Sequence, residues 1–375
     1  MATTIISSPQ LYTFTGNPLM WVFSSSQTAQ PNFSFIVEVV LNGVVIGTHE
    51  VFIENLSSAK IDVQTIVDSY VSYLEQTIDE TTIAVAQTLP TLLLNIKEKY
   101  GTTPIIQSTL ATSTIYLMKG SLELQEFYNW DYNDYTIASD KKKFLTANPL
   151  LTDFGTFGII FDYPAGALIY RLYVTDSNGI LKITTPPLGR LMFFNINNAT
   201  LTAMGYTIAQ IAASTLYTYQ VYSTSVADFV SEKRTINLLK CSNFTNTLTY
   251  INRYSIPEQF VFRQHERYKY KTDASTFEKR IGGWVGSDYI LNPLNSGLQP
   301  IETTRDGSVE LFSEILPNEL ASYLLTEINT TPYAVLNGQM VFVPTDSFET
   351  RNVNDDPTQI SIKGKLANGY KSNRV

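Results

Sequence analysis

The dipeptide Asn42-Gly43 constrains this chain more than any other pair of residues. It separates an apolar, β-branched and aromatic run over residues 33–41 from a second run over 44–53. A two-residue type I′ turn needs positive φ at both central positions, and Asn-Gly supplies it at least cost, so the two runs are expected to fold back as a hairpin. An antiparallel sheet is thereby fixed early in the chain. Residues 19–24, opened by Asn17-Pro18, read as a further strand, and Lys60-Ile61-Asp62-Val63 leads into residues 64–73. There Ile66, Val67, Tyr70, Val71 and Leu74 recur at helical spacing, with Asp62 as the expected N-cap.

The same grammar continues. Residues 81–89 and 92–99 read as strands, the second ended by Gly101, and residues 114–118 and 121–127 as a pair around Lys119-Gly120. Residues 157–162, 168–174, 180–184, 189–196, 216–223 and 235–240 follow as strands, with a turn at Asp176-Ser177-Asn178-Gly179. Residues 208–213 suit a helical turn. The order strand, Asn-Gly turn, strand, apolar-polar-apolar element occurs twice: Asn42-Gly43 with Ile61-Asp62-Val63, and Asn178-Gly179 with Phe194-Asn195-Ile196. The expected fold is therefore mainly β, as tandem β-sandwich domains of the fibronectin III or immunoglobulin sort with a few short helices. Three domains are expected: residues 1–145 and 146–265 as sandwiches, and 266–375 as a β-rich domain with one helix and an extended tail.

Residues 236–262 hold the one cysteine, Cys241, and read as short strands turning at Ser255-Ile256-Pro257. Thr247, Thr249 and Ile251 alternate with Leu248, Tyr250 and Asn252, the two-residue period of a strand. A lone cysteine closes no internal disulfide. Its expected role is a small buried apolar group, because the two histidines, His49 and His265, are far off in sequence and in no nucleophile motif. In the C-terminal third, Gly282-Gly283-Trp284-Val285-Gly286 lacks the Lys-Ser/Thr ending of a phosphate loop and is expected to be a loop. Residues 308–313 read as a strand and 317–328 as a helix with Leu320, Tyr323, Leu324 and Ile328 on one face. Strands follow at 333–336 and 339–344, joined by Asn337-Gly338, and at 358–365. Residues 368–375 are expected to be a loose tail or an arm that orders on a neighbour.

Composition bounds function. The charged fraction is 16% and net charge is −8, which argues against a broad phosphate-binding surface, so no nucleic acid is expected as a partner. No run approaches the roughly 20 apolar residues of a membrane helix, the N-terminus lacks a signal-peptide pattern, and no membrane partner, cofactor or metal is expected. Two clusters are candidate contact sites. In the first, Tyr128, Trp130, Asp131, Tyr132, Asp134 and Tyr135 interleave aromatic and acidic groups, either as a sugar-stacking platform or as a loop covering a sheet edge. A glycosidase needs two carboxylates held about 5–10 Å apart in a cleft, and Asp131 and Asp134 satisfy that only by accident. In the second, an extended Arg267, Tyr268, Lys269, Tyr270, Lys271 puts the cations on one face and Glu266 with the tyrosines on the other. It suits a nucleic-acid groove, against which the acidic whole argues, a subunit contact or a lysine-guarded edge.

Three groups of segments resemble a family of virion structural proteins from tailed bacteriophages, especially phages of Bacteroidetes-type hosts. They are Asn17-Pro18-Leu19-Met20-Trp21-Val22-Phe23 with Asn32-Phe33-Ser34-Phe35 and the Asn42-Gly43 hairpin; the Cys241 segment with Tyr250-Ile251-Asn252-Arg253-Tyr254 and Phe260-Val261-Phe262; and the helix over 319–326 with Thr331-Pro332-Tyr333-Ala334-Val335 and Val341-Phe342-Val343-Pro344. In similar proteins the turn after Asn252-Arg253 tends to be glycine-rich, whereas here it is Tyr254-Ser255-Ile256-Pro257. The resemblance implies a non-enzymatic part of the tail, neck or baseplate, made in the host cytoplasm and located in the virion, assembled as symmetric copies with other virion proteins. The alternative expectation is a surface adhesin or carbohydrate-binding module using the Tyr128 cluster.

Overall fold

The computed structural model describes residues 3–54, 58–72, 84–134, 155–160, 170–185, 191–196, 198–224, 227–237, 246–254, 256–264, 266–279, 282–291, 297–331, 334–344, 348–352, 358–366 and 370–372. The fold is mainly β and rich in antiparallel sandwich sheets, with five short α-helices among the described residues. The chain divides into two compact units. One comprises Met1–Lys240 and Ile251–Glu258; the other, Cys241–Tyr250 and Gln259–Val375. These units and the three consecutive segments expected from the sequence are different partitions of the chain. The expected junctions at 145/146 and 265/266 involve residues outside the described ones, as does Cys241.

The Asn42-Gly43 hairpin forms as expected. Asn42 has φ 50° and Gly43 φ 80°, and Ser34–Leu41 pairs antiparallel with Val44–Val51. Ser34–Leu41 also pairs with Thr91–Tyr100, which pairs with Ile105–Ala111, a strand not foreseen. Facing this sheet is a second one, in which Met20–Ser25 lies between Thr3–Ser7 and Ser58–Asp62. Period-two alternation points Phe35, Val37 and Val39 inward with Leu92, Leu94 and Ile96, where they meet Trp21, Phe23, Ala59 and Val67 in one core. The same alternation carries Glu98 inward at complete burial. Its carboxylate is satisfied by the hydroxyls of Thr3 (2.5 Å) and Ser108 (2.9 Å), as a buried polar group must be.

The order then recurs. Gly155–Ile160 pairs with Leu191–Ile196, as Met20–Ser25 pairs with Ser58–Asp62. Between them the hairpin Tyr170–Asp176/Leu181–Thr184 occupies the place of Ser34–Leu41/Val44–Val51. Helices Asn198–Ala203 and Ile208–Ala213 follow, as Gln64–Tyr70 does in the first copy. Leu216–Ser223 then returns beside Tyr170–Asp176, and Arg234–Asn237 pairs on its far side. Both copies therefore place the hairpin and the returning strand in one sheet and send the intervening strand to the other, the sandwich logic of fibronectin III and immunoglobulin folds. They differ at one edge: Ala84–Gln87 flanks Leu191–Ile196, whereas Thr3–Ser7 flanks Met20–Ser25.

Local chemistry accounts for several departures from the sequence reading. The first helix is capped at Val63, not Asp62. Asp62 sits one residue earlier and accepts from Gln64 N–H (2.9 Å) and Leu19 N–H (3.0 Å), tying strand and helix together. Residues 121–127 are not a return strand. Leu124–Tyr128 is a helix, because the chain at Gly120 is pinned elsewhere: Gly16 N–H donates to Gly120 O (2.8 Å), and Ser121 N–H to Arg253 O (3.1 Å). In the second copy Asp176 organises its turn by accepting from Asn178 N–H, Ile180 N–H and the Ser214 hydroxyl. Burial alone raises the Asp176 pKa, but these donors outweigh it and hold the carboxyl below its ordinary value. The neighbouring Tyr206 hydroxyl donates to the carbonyls of Val174 and Ile180 (2.8 Å each), and burial pushes that phenol's pKa up.

A sheet built mainly from the second unit runs in the order Pro257–Phe262, Asn246–Ile251, Ala334–Leu336, Gln339–Phe342, Thr358–Leu366, Gly297–Leu316, Arg267–Lys279. Asn337 (φ 48°) and Gly338 (φ 83°) close the expected tight turn. Helix Asn318–Thr330 lays Leu320, Leu324 and Ile328 on Leu248, Tyr250, Val309, Leu311, Ile360 and Ile362. Within the tail, Tyr370–Ser372 pairs with Thr303–Arg305 of the same chain.

Candidate functional site

The expected aromatic-acidic platform is built largely as interior. Trp130 is 8% exposed. Its indole N–H donates to Tyr12 O (3.1 Å), and its ring meets Phe14 edge-on at 5.1 Å and Tyr254 in a stacked geometry at 6.5 Å. It belongs to a cluster with Tyr12, Phe14, Leu89, Met118, Leu122, Tyr254 and Ile256. A ring so enclosed offers no face to a sugar. Tyr132 packs on Tyr12 at 5.5 Å. Asp131 accepts from the backbone and side chain of Asn133 (2.9 and 2.8 Å), starting the 3₁₀ turn Tyr132–Asp134. Tyr135 lies outside the described residues. What this segment presents outward is Leu124 (70% exposed) and Tyr128 (76%), beside Glu123, Glu126, Asp131 and Asp134. Arg253 bridges Glu126 (2.8 Å) and Glu123 (3.3 Å).

Ser255 of the expected corner lies outside the described residues, but the bonds around Asn252 explain why an asparagine stands there. Asn252 Oδ1 accepts from Tyr254 N–H and Ile256 N–H (2.9 Å each), and its amide donates to Glu258 (2.8 Å). Tyr254 and Ile256 are thereby set into the Trp130 cluster.

The second expected cluster lies on strand Arg267–Lys279. Arg267, Lys269 and Lys271 share one face, as the spacing requires. They stand across from Glu310, Ser308 and Asp306 on Gly297–Leu316, and Glu310 and Ser308 in turn stand across from Lys363 and Lys365 on Thr358–Leu366. Glu310, whose side chain is 10% exposed, takes Lys269 at 3.4 Å, Arg267 at 3.8 Å and Lys363 at 3.9 Å. The opposite face carries the buried Val309 and Leu311 and, at its margin, the exposed Tyr268 and Tyr270, whose rings stack at 6.5 Å and 10°. The Tyr268 hydroxyl donates to Glu266 (3.1 Å).

Beyond this region lies a feature that the sequence reading took for a loop. Gly282–Val285 pairs with Asp288–Leu291 as a two-stranded hairpin, turning at Gly286 (φ 65°) and following in the chain from the paired strand ends Lys279 and Gly297. Trp284 (72% exposed), Val285 (64%), Tyr289 (49%) and Ile290 (51%) crowd this short ribbon, with Trp284 and Tyr289 edge-to-face at 5.4 Å. The signal for it was the alternation of Trp284-Val285 and Tyr289-Ile290 around Gly286, masked by the preceding glycines.

No group of histidine, cysteine and carboxylate side chains able to hold a metal occurs among the described residues, and no described helix is long and apolar enough to cross a membrane. No family model and no curated protein matches the chain. Among solved structures, the chain is similar to a biofilm associated protein, BSP domain, at 9% identity over 82% of this chain and 63% of that one, with a TM-score of 0.19. The chain thus spans less than two thirds of that structure's length.

Proposed function

We propose that the chain is a non-enzymatic structural component of a tailed-phage virion, of the tail, neck or baseplate region, assembling in symmetric copies with itself and with other virion proteins. The observation that carries this reading is the hairpin Gly282–Val285/Asp288–Leu291. A two-stranded ribbon has no further strand to cover its side chains, and one that exposes Trp284, Val285, Tyr289 and Ile290 gains stability by burying them against a partner. Tryptophan and tyrosine are also the residues that most often dominate interface energies. The resemblance of residues 17–43, 241–262 and 319–344 to phage virion proteins supports the same reading. Contacts that close a ring are heterologous, matching one face of a copy to a different face of the next, which suits a chain whose candidate surfaces differ in chemistry.

The test is light scattering of the purified protein across a concentration series, with electron microscopy of the same samples. Defined oligomers or rings are expected, and Trp284→Ser with Tyr289→Ser is expected to reduce them to monomer without changing the far-ultraviolet circular dichroism. A wild-type chain that stays monomeric at every concentration overturns the reading.

A further inference from the structure

We propose that the outer face of the second unit's sheet docks onto the acidic patch around helix Leu124–Tyr128 of a second copy of this chain, an inference that rests on the assembly reading above.

The argument begins with register. Antiparallel pairing brings Arg267, Lys269 and Lys271 on one strand and Lys363 and Lys365 on another to the same face of three adjacent strands. Among the described side chains, Glu310 and Asp306 are the carboxylates between them, so the five cations outnumber the described acids on this face, in a chain of net charge −8. Glu310 meets its cations at 3.4–3.9 Å, longer than the roughly 2.7–2.9 Å of a tight charge-assisted bond. Arg267 and Lys269 keep 58% of their side-chain surface in water. Phe342 stands directly across from Lys365 on the next strand and is 64% exposed. An exposed aromatic beside a charged field has the composition of an interface, an anchor with a polar surround.

The complement is present on the same chain. Glu123 keeps 60% of its side-chain surface exposed, with Asp131 and Asp134 also exposed nearby in sequence. Leu124 and Tyr128 project beside them at 70% and 76% exposure. Each surface thus pairs charge with apolar anchors, and the signs are opposite. Because the two surfaces differ, their contact is head-to-tail and propagates from copy to copy. Attraction between them steers encounter and weakens as salt shortens the screening length to about 8 Å near physiological ionic strength.

The test is a charge exchange read by light scattering of the full chain. Lys269→Glu with Lys365→Glu is expected to weaken self-association by on the order of 100-fold, since like charges are then opposed across the contact. Glu123→Lys is expected to do the same. Mixing the two variant proteins is expected to restore association, because each supplies the surface the other lost. Unchanged circular dichroism and melting temperature of both variants exclude misfolding. Assembly of the wild type that withstands 1 M salt and both variants overturns this inference while leaving the assembly reading in place. A wild-type monomer overturns both. Binding of a single-stranded oligonucleotide that Lys269→Glu with Lys365→Glu abolishes, without self-association, assigns the face to a polyphosphate and also overturns the inference.

Discussion

Gly16→Ala separates two physical effects by sign. The backbone at Gly16 lies outside the positive-φ region, so chain entropy alone predicts that alanine stabilises the fold by about 0.4–1 kcal/mol. Packing predicts the reverse. A Cβ at Gly16 would lie 2.6 Å from Gly120 O, 2.7 Å from Ser121 Cβ and 3.2 Å from Ser121 Cα, where carbon-to-oxygen contacts are normally about 3.3 Å or more. Two backbone segments must therefore part by roughly 0.7 Å. That movement strains the Gly16 N–H to Gly120 O bond and the adjoining Ser121 N–H to Arg253 O bond. Overpacking costs about 1–3 kcal/mol and one weakened hydrogen bond about 1 kcal/mol, so after the entropy gain the net loss is about 1–3.5 kcal/mol. The assay is urea unfolding followed by tryptophan fluorescence in a Trp284→Phe background, which leaves Trp21 and Trp130 as reporters of the first unit. Gly283→Ala, where a Cβ meets nothing within 4 Å, is the control, read by circular dichroism. A Gly16→Ala protein as stable as wild type, or more so, refutes the steric reasoning.

Trp130→Ala is expected to cost about 3–5 kcal/mol by removing a buried ring from the Trp130 cluster, visible as a lower urea midpoint; a near-neutral result would return the ring to the surface. Leu324→Ala, at a fully buried position beneath the second unit's sheet, is expected to cost about 2–5 kcal/mol, and protease digestion should report it within residues 259–375 rather than in the first unit. Tyr206→Phe strips the shared donor from the carbonyls of Val174 and Ile180 and is expected to cost about 1–3 kcal/mol. Asp176 has a folded-state pKa below its unfolded value. Its stabilisation is therefore fully present above about pH 4, the unfolded value, and is lost as pH falls through the folded one. Asp176→Asn should flatten the acid limb of the stability curve below pH 4, and an unchanged limb would show that the carboxylate is not selectively held charged.

The sequence by itself determined the local grammar of this protein. Asn42-Gly43 and Asn337-Gly338 turn as their φ preferences demand, Leu320, Leu324 and Ile328 face inward because helical spacing puts them on one side, and Arg267, Lys269 and Lys271 share a face because strands alternate. What the tertiary structure decided depends on residues distant in the chain. Trp130 reads from sequence as an exposed aromatic among acids, and it is interior only because Tyr12, Phe14 and Tyr254 converge on it. Leu124–Tyr128 could not be told from a strand, since a five-residue segment carries no decisive period and the chain before it is held at Gly120 by Gly16 and at Ser121 by Arg253. Lys363 and Lys365 join the Arg267 face only through the register of Gly297–Leu316, which pairs both strands. Propensity and period act over a few residues, whereas burial and charge convergence are set by pairings that span the whole sequence.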